Sequence, residues 1–189
     1  MIYSQEVDFE RVLKELIRTF ELERVRYAMI GGFALGALGA PRATMDLDFL
    51  IHQEDLKKAH QALLRLGYQR RFHTQNVSQY ASNDSSWGSV DFIHAFRKIS
   101  LGMLDRSLKK PIFAGTYSVP ILQPEDVIGL KVQAMANDVA RRNKEMADIE
   151  ALMSLYRNRL DWARLKEYYS LFGLEKEFKE HQERFGHAE

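Results

Sequence analysis

Two short acidic runs and a glycine pair are the residues best suited to chemistry. Asp46 and Asp48 open the run Asp46-Leu47-Asp48-Phe49-Leu50-Ile51, and Asp91 sits inside Val90-Asp91-Phe92-Ile93. Side chains alternate along a strand, so Asp46 and Asp48 share a face. Two like charges there repel, and on a core-facing side they also lose hydration, so a positive partner is called for. Carboxylate oxygens are hard ligands suited to Mg²⁺ or Mn²⁺, which take one or two carboxylates and fill the rest from water and substrate phosphates. In isolation, Asp-x-Asp reads more simply as a solvated strand end. Asp91 has Ser89 and Ile93 at the two-residue spacing. It therefore shares a face with an apolar residue, and a half-buried carboxylate needs a partner. A metal shared with Asp46 and Asp48, or an arginine elsewhere, would serve equally. Gly31-Gly32 closes an apolar run and precedes a helical one. Unpaired N–H groups and the helix dipole favour a phosphate there, and glycine lets it approach closely. Alone, the pair is more often just a turn.

The elements that must position these residues follow from periodicity. Phe9, Val12, Leu13, Leu16, Ile17 and Phe20 recur at three- and four-residue steps and predict a helix, capped by Ser4 or Asp8. Val25–Ile30 reads as a buried strand and Phe33–Leu38 as a short helix stopped by Gly39. A strand over 46–51 follows. The next helix, over 54–66, carries Leu56, Ala59, Leu63 and Leu64 on one side. Residues 68–80 read as strand with a loop, Asn83-Asp84-Ser85-Ser86 as a turn, 87–95 as a strand and 112–122 as extended. Pro124 starts a helix in the favoured first position, and helices are expected over 124–138, 141–157, 161–171 and 174–185. The pattern divides into a mixed unit over 1–122 and a helical unit over 123–189.

Taken together, Gly31-Gly32, thirteen residues, then Asp46-Leu47-Asp48-Phe49 resembles the glycine-pair and Asp-x-Asp signature of the DNA polymerase β-like nucleotidyltransferase superfamily. Arg42-Ala43-Thr44 is similar to the Arg-x-Thr lead-in of many prokaryotic members. The resemblance implies an α+β fold, a nucleotidyltransferase-type mixed sheet flanked by helices, with a C-terminal helical unit. It implies that Asp46 and Asp48 hold Mg²⁺ or Mn²⁺, that Asp91 completes the metal site, and that Gly31, Gly32, Arg42 and Thr44 belong to the nucleotide site. Pro124-Glu125-Asp126-Val127-Ile128-Gly129-Leu130-Lys131, with Arg141, Arg142 and Lys144-Glu145-Met146-Ala147-Asp148, resembles the AbiEii-like branch. That branch includes the toxins of type IV toxin–antitoxin systems. Glu145 stands where the branch has Asp, so no role is carried onto it. Lys131 and Asp148 are the nucleotide-binding candidates. Lys131 lies within a stripe of Val127, Ile128, Ala134 and Met135, so its ammonium either meets an anion such as triphosphate or snorkels to water. Asp148 is one turn after Lys144, where an ion pair along the helix surface is an equal reading.

The implied reaction moves NMP from an NTP to an acceptor, releasing pyrophosphate. Arg97, Lys98, Arg106, Lys109 and Lys110, with Arg141, Arg142 and Lys144, make RNA such as a tRNA end one acceptor class. A protein or a small molecule fits the same core, and an antitoxin partner follows if the branch assignment holds. The alternative is a non-catalytic binding module on the same fold. Composition narrows the field further. With no cysteine, disulfide frameworks, thiolate metal sites and cysteine nucleophiles are excluded. A net charge of +1 argues against a surface that grips nucleic acid throughout. No apolar run approaches the roughly 18 residues of a membrane span, and the start lacks an export signal, so a cytoplasmic protein without membrane association is expected. His52, His60, His73 and His94 lack ligand spacing and read as structural, and the aromatic residues near the C-terminus read as core.

Overall fold

Helix α1 (Phe9–Leu22) forms on the expected period, burying Val12, Leu13, Leu16, Ile17 and Phe20. Asp8 caps it by accepting a hydrogen bond from the Arg11 amide at 3.1 Å. The computed structural model describes residues 8–41, 43–44 and 46–186, so the expectations on Ser4 and Arg42 lie outside the described residues. The chain continues through β1 (Tyr27–Met29), α2 (Gly31–Ala37), β2 (Asp46–His52), α3 (Leu56–Arg65), β3 (Tyr68–His73), β4 (Val77–Ser82), β5 (Ser89–Ala95), α4 (Lys98–Asp105), β6 (Leu108–Ile112) and β7 (Tyr117–Ile121). The strands form one seven-stranded sheet in the order β3-β4-β5-β2-β1-β7-β6. The pairs β2/β5 and β1/β7 are parallel and the others antiparallel. The fold is thus a mixed sheet flanked by helices.

One face of the sheet carries an aromatic core. Phe20 of α1 meets Tyr27, Phe49 and Phe92 at centroid separations of 5.2, 5.6 and 6.1 Å, edge-on or tilted as ring quadrupoles prefer. Leu47, Phe49 and Ile51 alternate onto this side of β2 and are fully buried, so Asp46 and Asp48 are delivered to the other face. On the core side, Ser78 Oγ bonds His73 Nδ1 at 2.9 Å and His94 Nε2 at 2.7 Å. His94 Nδ1 donates to the Gln75 carbonyl at 2.9 Å. These histidines tie β3, β4 and β5 together, a structural role.

The structure departs from the sequence reading at several points. Residues 112–122 are not one extended segment: β6 and β7 are a hairpin turning through Phe113–Gly115, where Phe113 and Ala114 adopt φ of 49° and 53°. Such conformations at Phe and Ala leave no sequence signal. Helix α4 was unforeseen, because its N-cap is Arg97, with Ser100 Oγ accepting from the Arg97 amide at 3.2 Å. In α3 the buried positions are Ala59, Ala62 and Leu63, while Leu64 faces solvent.

After β7 come α5 (Pro124–Asn137), α6 (Arg142–Tyr156), α7 (Trp162–Leu171) and α8 (Glu175–Phe185). The chain divides into two compact units, Met1–Ala37 with Arg42–Leu122, and Leu38–Pro41 with Gln123–Glu189. In the helical unit, a Cβ on Gly129 would lie 2.6 Å from the Tyr168 ring, so the glycine permits close approach of α5 and α7. Tyr168 Oη donates to Asp126 at 2.5 Å, and Tyr169 shares a 2.7 Å hydrogen bond with His181. Tyr168, Tyr169, Phe178 and Phe185 are buried, as core residues should be.

Burial holds His94 below its ordinary value, with the His73 charge adding to the drop and the Gln75 carbonyl opposing it. His60 and His181 are lowered for the same first reason. A depressed histidine binds its proton more readily in the unfolded chain. Its stabilising contribution is therefore complete above pH about 6.5 and is lost as pH falls from there toward the folded-state pKa. Thermal denaturation across pH 8 to 5 should show a falling midpoint below about pH 6.5. His94→Gln should flatten that slope, and an unchanged slope would contradict the assignment.

Candidate functional site

The mutual placement of the acidic residues is set by strand register. In the parallel pair β2/β5, Asp46 lies opposite Ser89 and Asp48 opposite Asp91. Adjacent strands are about 4.8 Å apart, so Asp48 and Asp91 are lateral neighbours on one face and Asp46 stands two residues along it. In the antiparallel pair β4/β5, Asp91 lies opposite Gln79. On the other side, the Ile30 amide donates to the Asp48 carbonyl at 3.0 Å, which sets the start of α2 beside Asp48.

The glycines fit this row sterically. Gly31 has φ of +65°, and a Cβ on it would lie 1.9 Å from Asp48 Oδ2. A Cβ on Gly32 would lie 2.5 Å from the Thr44 Cβ. Thr44 Oγ1 in turn donates to the Asp46 carbonyl at 3.2 Å. Gly31, Gly32, Thr44, Asp46, Asp48 and Asp91 are therefore assembled in one place. Helix α2 starts at Gly31, two residues earlier than its apolar run suggests.

Each of two carboxylates is hydrogen-bonded to its neighbour in register. Ser89 Oγ donates to Asp46 Oδ1, and Gln79 Nε2 donates to Asp91 Oδ2 at 3.0 Å. The half-buried Asp91 thus accepts a hydrogen bond from a neutral amide, a partner beyond the two the sequence reading weighed. Burial pushes the Asp91 carboxyl above the usual carboxylate range; the Gln79 bond opposes this and the Asp46 charge adds to it. Gln79 and Ser89 were not singled out from sequence, and only the strand pairing reveals them.

The donor set suits a hard divalent cation in kind: three carboxylates on one face, two of them electrostatically coupled. Among the described residues, no group of three or more His, Cys, Asp or Glu side chains is arranged to hold a metal ion. The carboxylate oxygens are turned instead to Ser89, Gln79 and the edge of Gly31.

The remaining candidates lie in the helical unit. Lys131 points inward, and its ammonium donates to Glu145 at 2.9 Å and Asp148 at 2.5 Å. Arg141 reaches Glu145 as well, at 2.5 Å. Asp148 thus pairs with Lys131, and Glu145, onto which no role was carried, is the hub of the network. Burial pushes the Glu145 carboxyl up, and the Lys131 and Arg141 contacts more than offset it, leaving it below its usual range. Arg142 is paired with Glu177 at 2.5 Å. Of the basic stretch in the mixed unit, Arg97 and Lys98 follow the end of β5 at Ala95, which is four residues beyond Asp91, or about 13 Å along the strand.

A family model described as an uncharacterised nucleotidyltransferase matches residues 2–180. No curated protein matches the chain in sequence. The solution structure of the antibiotic-resistance factor ANT(2'')-Ia superposes with a TM-score of 0.66 at 12% identity, over 92% of this chain and 96% of that one. The same factor in complex with adenylyl-2''-tobramycin gives 0.65 at 11%, over 88% and 99%. The lincosamide antibiotic adenylyltransferase LnuA, with lincomycin bound, gives 0.53 at 17%, over 79% and 99%. At these identities the likeness is one of fold.

Two outcomes follow from the geometry. Gly31→Ala forces a left-handed Ala, costing about 1–2 kcal/mol, and drives its methyl into Asp48, so it should destabilise clearly in urea denaturation. Gly36→Ala, with nothing within 4 Å of its Cβ, should instead gain roughly 0.5–1 kcal/mol. Lys131→Met should cost about 3–5 kcal/mol because it removes the buried ammonium shared by the buried Glu145 and the part-buried Asp148, and adding Glu145→Gln and Asp148→Asn should recover much of the loss.

Proposed function

The chain belongs to the uncharacterised nucleotidyltransferase family, and on that premise we propose that it transfers NMP from an NTP to a hydroxyl-bearing small molecule. The observation that carries the reading is the β2/β5 register, which sets Asp46, Asp48 and Asp91 on one face beside the Gly31–Gly32 turn. In the reaction an acceptor oxygen attacks the α-phosphorus, the bond from that phosphorus to the bridging oxygen breaks, and pyrophosphate leaves. Asp46, Asp48 and Asp91 would hold Mg²⁺ or Mn²⁺, which supplies charge neutralisation for the phosphoryl oxygens when bound. Gly31 and Gly32 would present backbone to the phosphates, and Thr44 would brace that turn through its packing on Gly32. Arg42 would add a cation to the nucleotide site. The work of the protein is positioning and electrostatics.

A small acceptor is supported by the whole-chain likeness to ANT(2'')-Ia and LnuA, both antibiotic-directed by their names. Two cations offered for RNA, Arg141 and Arg142, are spent on Glu145 and Glu177, and Arg97 and Lys98 come after the end of β5 that lies beyond Asp91. The finer reading, a toxin-type enzyme of the AbiEii-like branch with an antitoxin partner, rests on the Lys131 to Asp148 sequence pattern alone. On that reading Lys131 and Asp148 would serve the nucleotide, with the ion pair orienting the ammonium. No described helix is long and apolar enough to cross a membrane, and a cytoplasmic setting is part of the proposal.

The test is incubation with each α-labelled NTP, Mg²⁺ or Mn²⁺, and fractionated cell extract. Label should appear in small molecules and fall by about 10²–10³-fold or more for Asp46→Ala/Asp48→Ala and for Asp91→Ala, the scale for groups stabilising transferred charge. Label in RNA or protein would overturn the acceptor assignment. Absence of any label, with NTP-induced thermal stabilisation lacking too, would favour the non-catalytic binding module.

A further inference from the structure

The hydrogen bonds at the carboxylates share a pattern that the proposed reaction does not by itself require. Ser89 faces Asp46 and Gln79 faces Asp91, each directly across one strand boundary. In the order β4-β5-β2, both donors sit on the β3 side of the carboxylate they bond, the side away from the Gly31–Gly32 turn. Each bond engages one oxygen, Oδ1 of Asp46 and Oδ2 of Asp91. An ionised carboxylate has a second oxygen with its own lone pairs, which such a bond leaves unengaged.

Both donors are also uncharged. An arginine or lysine opposite Asp91 would hold it equally well but cancel the charge that attracts a cation. A hydroxyl and a carboxamide fix a carboxylate's orientation while leaving its charge in place. Holding one oxygen also keeps the carboxylate from rotating, so less freedom is lost when the other oxygen takes a ligand. Outer partners of ligating carboxylates commonly act this way, and their loss costs 10–100-fold in metal affinity.

We infer that Gln79 and Ser89 are positioning residues for a divalent cation, each holding one oxygen of Asp91 and Asp46 toward the β3 edge so that the other serves the cation. This rests on the reading of Asp46, Asp48 and Asp91 as a metal-binding set. Gln79 is exposed, so a nearly isosteric Gln79→Met removes the amide donor without touching the core.

The probe is Mn²⁺ alone, followed by loss of the free-ion EPR signal on titration with the full chain, without nucleotide. The parent should bind, and Asp46→Ala/Asp48→Ala should not. Gln79→Met and Ser89→Ala should each raise the Mn²⁺ dissociation constant by about 10-fold or more with an unchanged melting temperature. If the parent binds and both variants bind as tightly as it does, or more tightly, the positioning role is refuted while the metal set stands. If the parent does not bind, or the Asp46→Ala/Asp48→Ala protein binds equally well, the metal reading falls and takes this inference with it.

Discussion

The pairing of β2 with β5 is the constraint on which the rest depends. Phe49 lies opposite Phe92 and Leu47 opposite Val90 in the same register that sets Asp48 opposite Asp91. The two phenylalanine rings meet with centroids 6.2 Å apart, edge to face. A slip of one residue would turn Asp46 and Asp48 onto the aromatic side and expose Phe49, exchanging a buried ring for two unpaired charges. The core thus fixes the acidic row without any contact to it. The site has its geometry before a ligand arrives because the opposite face of the same strands cannot pack in another way.

The two units treat buried charge differently. In the helical unit, Lys131 pairs with Glu145 and Asp148, and Arg141 adds a second cation at Glu145. Such a cluster fixes α5 against α6, and losing any member is costly. In the mixed unit, Asp46 and Asp91 have neutral hydrogen-bond partners, and the Asp91 carboxyl is pushed up first by burial and then by the Asp46 charge, against the Gln79 bond. Charge left in place on Asp46 and Asp91 by neutral partners has a physical rationale when a cation is bound in use.

Much of this arrangement was legible in the sequence, and what was missed has definable causes. The first helix, the acidic strands and the helical second half announce themselves by period, because burial of one face writes itself into residue order. Asp46 and Asp48 on one face follow from a period of two. That Asp91 joins them required knowing which strand lies beside β2, information carried by no local pattern. The resemblance to a nucleotidyltransferase signature supplied it, and the family match agrees with that source. Gln79 and Ser89 escaped for the same reason: their partners are 12 and 43 residues away. The α4 helix and the β6–β7 turn escaped for a different one, since Arg97 is not a capping residue and Phe113 and Ala114 disfavour the conformation they hold. Glu145 was passed over because it departs from a pattern. Its side chain, one methylene longer than Asp, still reaches both Lys131 and Arg141.

The spacing of the signature itself has a steric explanation. Gly31 has no room for a side chain because Asp48 lies against it, and Gly32 has none because Thr44 does. The glycine pair, the threonine and the second aspartate are thus one packed object read at four sequence positions. Of the thirteen residues between Gly32 and Asp46, Thr44 packs on Gly32, and Ala34, Leu35 and Leu38 are buried. The glycines are required first by the carboxylate row they accommodate. Whatever phosphate approaches their backbone exploits a gap that the packing of Asp48 and Thr44 has already made necessary.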